Sequence, residues 1–157
     1  MAIEIERKFL VLKELLPLEP DQGTHMVQGY LATGPVNVRV RLTDSKAFLT
    51  LKSTGAGLRR QEFEYLIPME DAKELLARPE LLGKLSKRRH LVPVEGFVFE
   101  VDVYEGALTG LVTAEVELPS EETRIPLPEW LGAELSHRKD YSNESLARFG
   151  LPADFVS

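Results

Sequence analysis

The sequence predicts a mainly-β (α+β) chain in which eight antiparallel strands close into a barrel, a tunnel with a few peripheral helices. Three observations predict it. Short segments of alternating apolar and polar residues recur along nearly the whole chain, the period-2 pattern of strands with two unlike faces. Turn-forming Gly, Pro, Asp and Ser separate these segments at hairpin distances. The polar face of the strands is almost wholly charged, whereas a face that merely meets water mixes in Thr, Ser, Gln and Asn. A chain of 157 residues is expected to form one domain over 1–157 with a substantial core.

Taken in order, strands are expected over 3–11, 24–33, 37–43, 47–53, 60–67, 85–92, 97–104 and 111–118. Thr43-Asp44-Ser45-Lys46 and Glu105-Gly106-Ala107 carry turn chemistry between consecutive strands. Gly55-Ala56-Gly57 reads as another hairpin loop rather than a phosphate loop. Three helices interrupt the pattern. The first, 70–78, follows Pro68; the second, 128–135, begins with a proline at its first helical position. The third, 143–149, is capped by Ser142 or Asn143 and stopped by Gly150.

Parity sorts the charges. Glu4, Glu6 and Lys8 share one face of the first strand, and Ile3, Ile5 and Phe9 share the other. Arg39 and Arg41, then Lys52, then Arg60, Glu62 and Glu64, alternate with apolar neighbours in the same way. So do Glu100 with Asp102 and Glu115 with Glu117, while Lys87 and Arg89 form a further pair around Arg88. One such strand is ordinarily a solvated face. Repetition on strand after strand, with the two signs nearly balanced, fits an enclosed lumen, because an unpaired charge inside a barrel costs several kcal/mol. The apolar faces are then expected outside, partly covered by the helices. Arg and Lys donate to phosphate oxygens, and clustered carboxylates hold hard divalent cations. Both together point to a metal–polyphosphate complex.

Composition narrows the field. There is no cysteine, which excludes disulfides, thiolate metal sites and thiol nucleophiles. The formal charge of -6 argues against a nucleic-acid backbone as the main partner. Met1-Ala2-Ile3-Glu4 begins no basic-then-apolar leader, and no apolar run reaches bilayer length, so a cytoplasmic protein is expected. His25, His90 and His137 lack metal-ligand spacing. Trp130 and Tyr141 read as packing residues, and Tyr30 fits lumen or core equally well. No Ser elbow, Walker-type loop or His-Glu-x-x-His is present.

The run Glu4-Ile5-Glu6-Arg7-Lys8 carries the pattern Glu-x-Glu-x-Lys. Together with Arg39-Val40-Arg41, Lys52, Arg60-x-Glu62-x-Glu64, Lys87-x-Arg89, Glu100-Val101-Asp102 and Glu115-Val116-Glu117, in that order, it resembles the CYTH superfamily, the triphosphate tunnel metalloenzymes. Trp130-Leu131-Gly132, Glu134, Tyr141-Ser142-Asn143 and Leu146-Ala147 extend the resemblance into the tail, where Arg138 and Asp140 stand in place of an acidic and a basic residue. The resemblance implies an eight-stranded tunnel that cleaves or cyclises triphosphates with Mg²⁺ or Mn²⁺, two ions being expected during turnover. It implies Glu4, Glu6, Glu115 and Glu117 as metal ligands, with Glu62, Glu64 and Asp102 as further candidates. Lys8, Arg39, Arg41, Lys52, Arg60, Lys87 and Arg89 become phosphate binders, and Glu6, Lys8 and Glu117 the catalytic core. Lys139 reads either as a surface lysine or as a group closing the tunnel end.

Hydrolysis of inorganic tripolyphosphate is the favoured activity, because the chain is short and shows no pocket for an organic group. A nucleoside or thiamine triphosphatase, or a class IV-type adenylate cyclase, shares the tunnel; a polyphosphate-binding module without turnover would not need the paired carboxylates. The expected partner is a small-molecule triphosphate, with no nucleic acid and no membrane, and a homodimer is an allowed assembly.

Overall fold

A computed structural model describes residues 2–55 and 57–156. Its strands are β1 (Ile3–Val11), β2 (Thr24–Ala32), β3 (Val36–Thr43), β4 (Ala47–Ser53), β5 (Arg59–Ile67), β6 (Gly83–Val94), β7 (Phe97–Tyr104), β8 (Val112–Glu117) and β9 (Leu131–Glu134). The helices are α1 (Met69–Leu76) and α2 (Asn143–Phe149), with single 3-10 turns over Gly106–Leu108 and Lys139–Tyr141. Antiparallel pairing runs in the order β5-β4-β3-β2-β6-β7-β8-β1, and β1 pairs back to β5 through Ile3–Ile5. Eight strands therefore close on themselves, as expected, and no barrel edge is left along that first half of β1.

β9 is the exception to the sequence reading, which expected a helix over 128–135. Beyond Ile5, β1 has lost β5 as a neighbour but still presents backbone donors and acceptors. Leu131–Glu134 fills that vacant edge, with Phe9 opposite Glu134 and Val11 opposite Leu131. Leu12 N donates to Trp130 O at 2.8 Å, and Leu135 N donates to Lys8 O at 2.7 Å. The proline supports a turn instead, with Leu131 N bonded to Pro128 O. An unpaired strand edge outweighs the helical preference of a short segment, since buried backbone groups demand partners. The other two helices form as expected, with α1 beginning one residue earlier, at Met69, and ending two residues earlier, at Leu76. Ser142, not Asn143, caps α2 through the Ser145 amide, and Gly150 ends it at φ 82°. Ala56 lies outside the described residues, so only the flanks of the Gly55-Ala56-Gly57 loop are placed.

Apolar parity faces outward, and three clusters cover most of it, while Phe63 and Tyr65 of β5 stay exposed. Ile5, Phe99, Val101, Ala114 and Val116 on β1, β7 and β8 pack under Trp130, Leu118 and the coil residues Leu16, Leu18 and Ile125. Coil, rather than helix, is the cover here. α1 lays Ala72 and Leu76 over Val40 and Ala47 of β3 and β4. α2 and the last 3-10 turn bring Leu146 and Tyr141 against Leu85, Tyr104 and Leu135. The start of β6 approaches α2 so closely that any side chain at Gly83 would run into the Ala147 carbonyl.

Phe99 has no exposed surface and meets Trp130 edge-to-face, with centroids 5.3 Å apart. Phe99→Ala is expected to cost about 3–5 kcal/mol, because it opens a cavity and removes the aromatic contact on the main cover. Urea denaturation of the two proteins measures the difference; a loss under about 1 kcal/mol would mean that this cluster does not hold the outer wall.

Candidate active site: a charged tunnel

Direct cross-strand pairing places the charged residues on one inner surface. Glu6 lies opposite Glu117 and Lys8 opposite Glu115. Glu100 faces Glu115, and Asp102 faces Arg89. Glu4 faces Arg60, and Lys52 faces Glu62. Residues directly opposite in an antiparallel ladder share a face, so the parity argument from single strands becomes a three-dimensional lumen. It encloses a cavity of about 880 Å³ that Glu4, Glu6, Lys8, Arg39, Arg41, Lys52, Arg60, Glu62, Glu64, Arg89, Glu115 and Glu117 all line. The tail closes one side of it with Ser136, His137, Arg138, Lys139 and the start of α2.

Two of the expected site residues are not brought to this cavity. Lys87 and Asp102 are fully buried and meet each other at 2.7 Å, leaving no exposed charged atom to receive a ligand. Asp102 also accepts from Arg89 Nε at 2.8 Å and from Arg89 Nη2 at 2.9 Å. Burial pushes the Lys87 ammonium down to about 7, and Arg89 and Arg41 add to the effect against the opposing pull of Asp102. Burial works against ionisation of Asp102 as well, but Lys87 and Arg89 hold its carboxyl below the usual range.

The remaining charges divide into an acidic and a basic group. Lys52 Nζ sits 2.6 Å from Glu4, 3.3 Å from Glu6 and 3.6 Å from Glu62. Burial opposes its charge, but Glu6, Glu4 and Glu115 more than compensate and raise its pKa. Glu6 is pushed well above the ordinary carboxylate range by burial and by the neighbouring Glu115. Glu115 is held low: burial disfavours its charge, yet Lys8, Arg89 and Lys87 outweigh that. Arg41 is lowered to about 10 by burial, Arg39 and Arg89, which leaves it charged at neutral pH. Lys8 donates to the Tyr141 carbonyl at 2.7 Å, tying the first strand to the tail. Arg60 spans the β4–β5 loop by donating to the Gly55 and Gly57 carbonyls.

Buried polar atoms without hydrogen-bond partners occur in both groups, and native interiors rarely tolerate them. Arg39 Nε is a buried donor with no acceptor, although its Nη2 reaches Thr50 at 3.3 Å. Glu115 Oε1 is a buried acceptor with no donor; the nearest cation, Arg89 Nη2, is 3.9 Å away. Glu4 Oε1 touches Lys52 as an ion without hydrogen-bond alignment. An unsatisfied donor wants an anion and an unsatisfied carboxylate wants a cation, and here they share one cavity. Among the described residues no three of His, Asp and Glu already stand in metal-holding geometry; Lys52 lies between the carboxylates that would form such a set. Their chemistry nevertheless fits a hard divalent cation, which takes oxygen ligands.

Sequence reasoning missed Gln28. It is fully buried on the inner face of β2, accepts from Arg41 Nε at 2.9 Å and lies 3.4 Å from the Tyr30 hydroxyl. The signal was available: Gln28 and Tyr30 keep the same parity in a strand whose other face is apolar. Tyr30 proves to face the lumen opposite Arg39, yet it is only 4% exposed. Trp130 and Tyr141 are buried packing residues as expected. His25 pairs with Glu105 at 3.0 Å, His90 is buried at the Gly23 turn, and only His137 reaches the cavity wall. The departure at 138 and 140 is resolved as an inverted ion pair. Arg138 clamps Asp140 through two bonds of 3.0 and 2.8 Å, holds Asp154 at 3.0 Å and stacks on Tyr141. Lys139 stands exposed at the cavity wall.

Comparison with known proteins agrees with this geometry. The family model described as CYTH domain matches residues 2–149. An inorganic triphosphatase from Acetivibrio thermocellus is 37% identical over 149 residues, covering 94% of this chain and 95% of the relative. Another, from Nitrosomonas europaea, is 39% identical over 153 residues, covering 92% of this chain and 96% of that protein. A crystal structure of an inorganic triphosphatase superposes with a TM-score of 0.63 at 34% identity, covering 94% and 96% of the two chains. A tunnel built from these strands, in this order and with these charges, places the chain in the CYTH domain family.

Proposed function

We propose that this protein, acting as a single domain, hydrolyses inorganic tripolyphosphate to pyrophosphate and orthophosphate in its tunnel, with Mg²⁺ or Mn²⁺ as cofactor. The observation that carries the reading is the pairing, in one cavity, of an orphaned buried arginine donor at Arg39 with an orphaned buried carboxylate oxygen at Glu115. Relatives at 37% and 39% identity bear the name inorganic triphosphatase, which supports the same substrate. Cavity lining supports it too, for the sole aromatic side chain among the lining residues besides His137 is Tyr30, which is nearly fully buried. No tryptophan or phenylalanine lines the cavity among the described residues, so the wall is built for an anion rather than for an aromatic group.

The chain's own groups account for most of what phosphoanhydride cleavage needs, since that reaction asks for positioning and charge stabilisation rather than a covalent nucleophile. Arg39, Arg41 and Arg89 present guanidinium donors to the phosphate oxygens and disperse the charge that gathers on the leaving pyrophosphate. Lys8 and Lys52 turn from their present acceptors, the Tyr141 carbonyl and the Glu4–Glu6–Glu62 group, toward the same oxygens. Water attacks the terminal phosphorus, the bond to the bridging oxygen breaks, and the water proton passes to the surrounding carboxylates and solvent. Glu4, Glu6, Glu115 and Glu117, with Glu62 and Glu64 nearby, would hold the divalent ions. When bound, such ions supply Lewis acidity and charge neutralisation for the polyanion and acidify nearby water. A cytoplasmic protein is consistent with the lack of any helix, among the described residues, long and apolar enough to cross a membrane.

Phosphate release from tripolyphosphate, ATP and thiamine triphosphate, each with Mg²⁺, Mn²⁺ or EDTA, tests the reading. Metal-dependent cleavage is expected, fastest on tripolyphosphate; folded protein with metal that releases cyclic AMP from ATP and leaves tripolyphosphate intact would overturn it. Two variants test the site. Lys8→Ala is expected to raise the KM for tripolyphosphate by about tenfold, the worth of one charge-assisted contact. Glu117→Ala is expected to lower metal-dependent turnover by about a hundredfold or more while leaving the thermal midpoint within a few degrees, since its side chain is exposed on the lumen. Wild-type kinetics in either variant would remove that residue from the site.

A further inference from the structure

Asp102 sits on the inner face of β7 beside Glu100, which lines the cavity, and its position on the strand alone would make it a metal ligand. Its bonding argues otherwise. Asp102 has no exposed surface, and both oxygens are taken: Oδ1 by Arg89 Nε at 2.8 Å, Oδ2 by Arg89 Nη2 at 2.9 Å and Lys87 Nζ at 2.7 Å. A carboxylate that accepts three charge-assisted bonds is a strong counter-ion, with little capacity left for a cation. By contrast Glu115, opposite Lys8 on the neighbouring strand, keeps a free buried oxygen.

The two-point fork is the informative part. Arg89 offers its Nε–Nη2 edge, the edge that suits a carboxylate or a phosphate bidentately, to Asp102. Its Nη1 reaches Glu100 at 3.1 Å. Only terminal N–H groups remain to face the cavity that Arg89 lines. Planar guanidinium held along one edge cannot swing, so its outward N–H vectors are fixed. The same carboxylate favours the charge on Arg41, Lys87 and Arg89, whereas Arg41 and Arg89 oppose the charge on Lys87 and Arg89 that on Arg41.

We infer that Asp102 is a positioning residue: it aims Arg89 at the substrate's phosphate oxygens and does not bind the metal. The inference rests on the proposed triphosphatase reading for its assay, but also has a readout independent of turnover. With Asp102→Asn, the fork loses its charge and one acceptor, and Arg89 regains rotational freedom. KM for tripolyphosphate is expected to rise about tenfold, with a smaller change in kcat, and the metal concentration for half-maximal activity is expected to stay unchanged. In EDTA, where no turnover occurs, the thermal shift induced by tripolyphosphate should shrink in the variant. In an Arg89→Ala background, Asp102→Asn should add no further rise in KM, because the residue acts through that arginine.

Asp102→Asn leaves the Lys87 ammonium buried without its counter-ion, so the same comparison is also made between Lys87→Met and Lys87→Met/Asp102→Asn. The tenfold rise in KM is expected in that pair as well, whether or not the single variant folds. A raised metal requirement at unchanged KM would make Asp102 a metal ligand and overturn the inference. Unchanged kinetics, or additive losses with Arg89→Ala, would overturn it equally. If the protein cleaves no triphosphate, the thermal shift at saturating tripolyphosphate in EDTA still decides: a wild-type shift that the variant reproduces in full, or no shift in either protein, rejects the positioning role.

Discussion

Enclosing charge inside a closed sheet is the constraint on which the rest of this structure depends. Each ion taken from water costs several kcal/mol unless another ion or a full set of hydrogen bonds meets it. The lumen meets much of that demand by setting opposite signs across the ladder, although Glu6 faces Glu117 and Glu100 faces Glu115. Lys8 stands opposite Glu115, Lys52 opposite Glu62 and Arg89 opposite Asp102. Once the inner face is charged, the core must be built on the outer faces of the strands, so the usual arrangement is inverted. This is why apolar cover comes from outside, from Trp130 and two coil segments over β1, β7 and β8, and from α1 over β3 and β4.

Compensation is graded along the tunnel. In the deepest layer the charges are matched to one another and have no solvent exposure, as with Lys87 and Asp102. Toward the cavity they are matched incompletely: one lysine serves three carboxylates at Lys52, and an arginine nitrogen at Arg39 has no acceptor. The saturated layer fixes side chains in place and the unsaturated one retains binding capacity. A site that was fully satisfied would be stable and inert, and one that was wholly unsatisfied would not fold.

How much of this was legible in the sequence follows from what strand parity can and cannot encode. Alternation alone gave eight of the strands, the charged inner face and the charged strand residues of the cavity, because a period of two assigns each side chain to a face without reference to its neighbours. It could not say how far in a residue would lie, so Lys87 and Asp102 read as ligand groups although the register buries them against each other. Nor could it foresee β9. A short segment opening with proline looks helical until the departure of β5 from β1 leaves an edge that must be paired, and that departure is a property of the closed barrel. Gln28 is invisible to a charge-parity argument because an uncharged amide carries no sign, although it accepts from Arg41 Nε as Asp102 accepts from Arg89 Nε.

The inverted pair at 138 and 140 shows the same logic in the tail. Arg138 and Asp140 clasp each other across the start of the 3-10 turn, with Asp154 as an added acceptor for Arg138. The turn it braces carries the Tyr141 carbonyl, which holds Lys8. In the proposed reading, substrate phosphates compete with the Tyr141 carbonyl for Lys8 and with three carboxylates for Lys52. An anion arriving alone would draw both lysines away and leave Glu4, Glu6 and Glu62 facing one another without a counter-charge. Arriving with a divalent cation, it replaces the charge that it removes. Under the proposed function, electroneutrality of the enclosed lumen favours the metal–triphosphate complex over either component, so the interleaved signs that let the barrel close also favour what it binds.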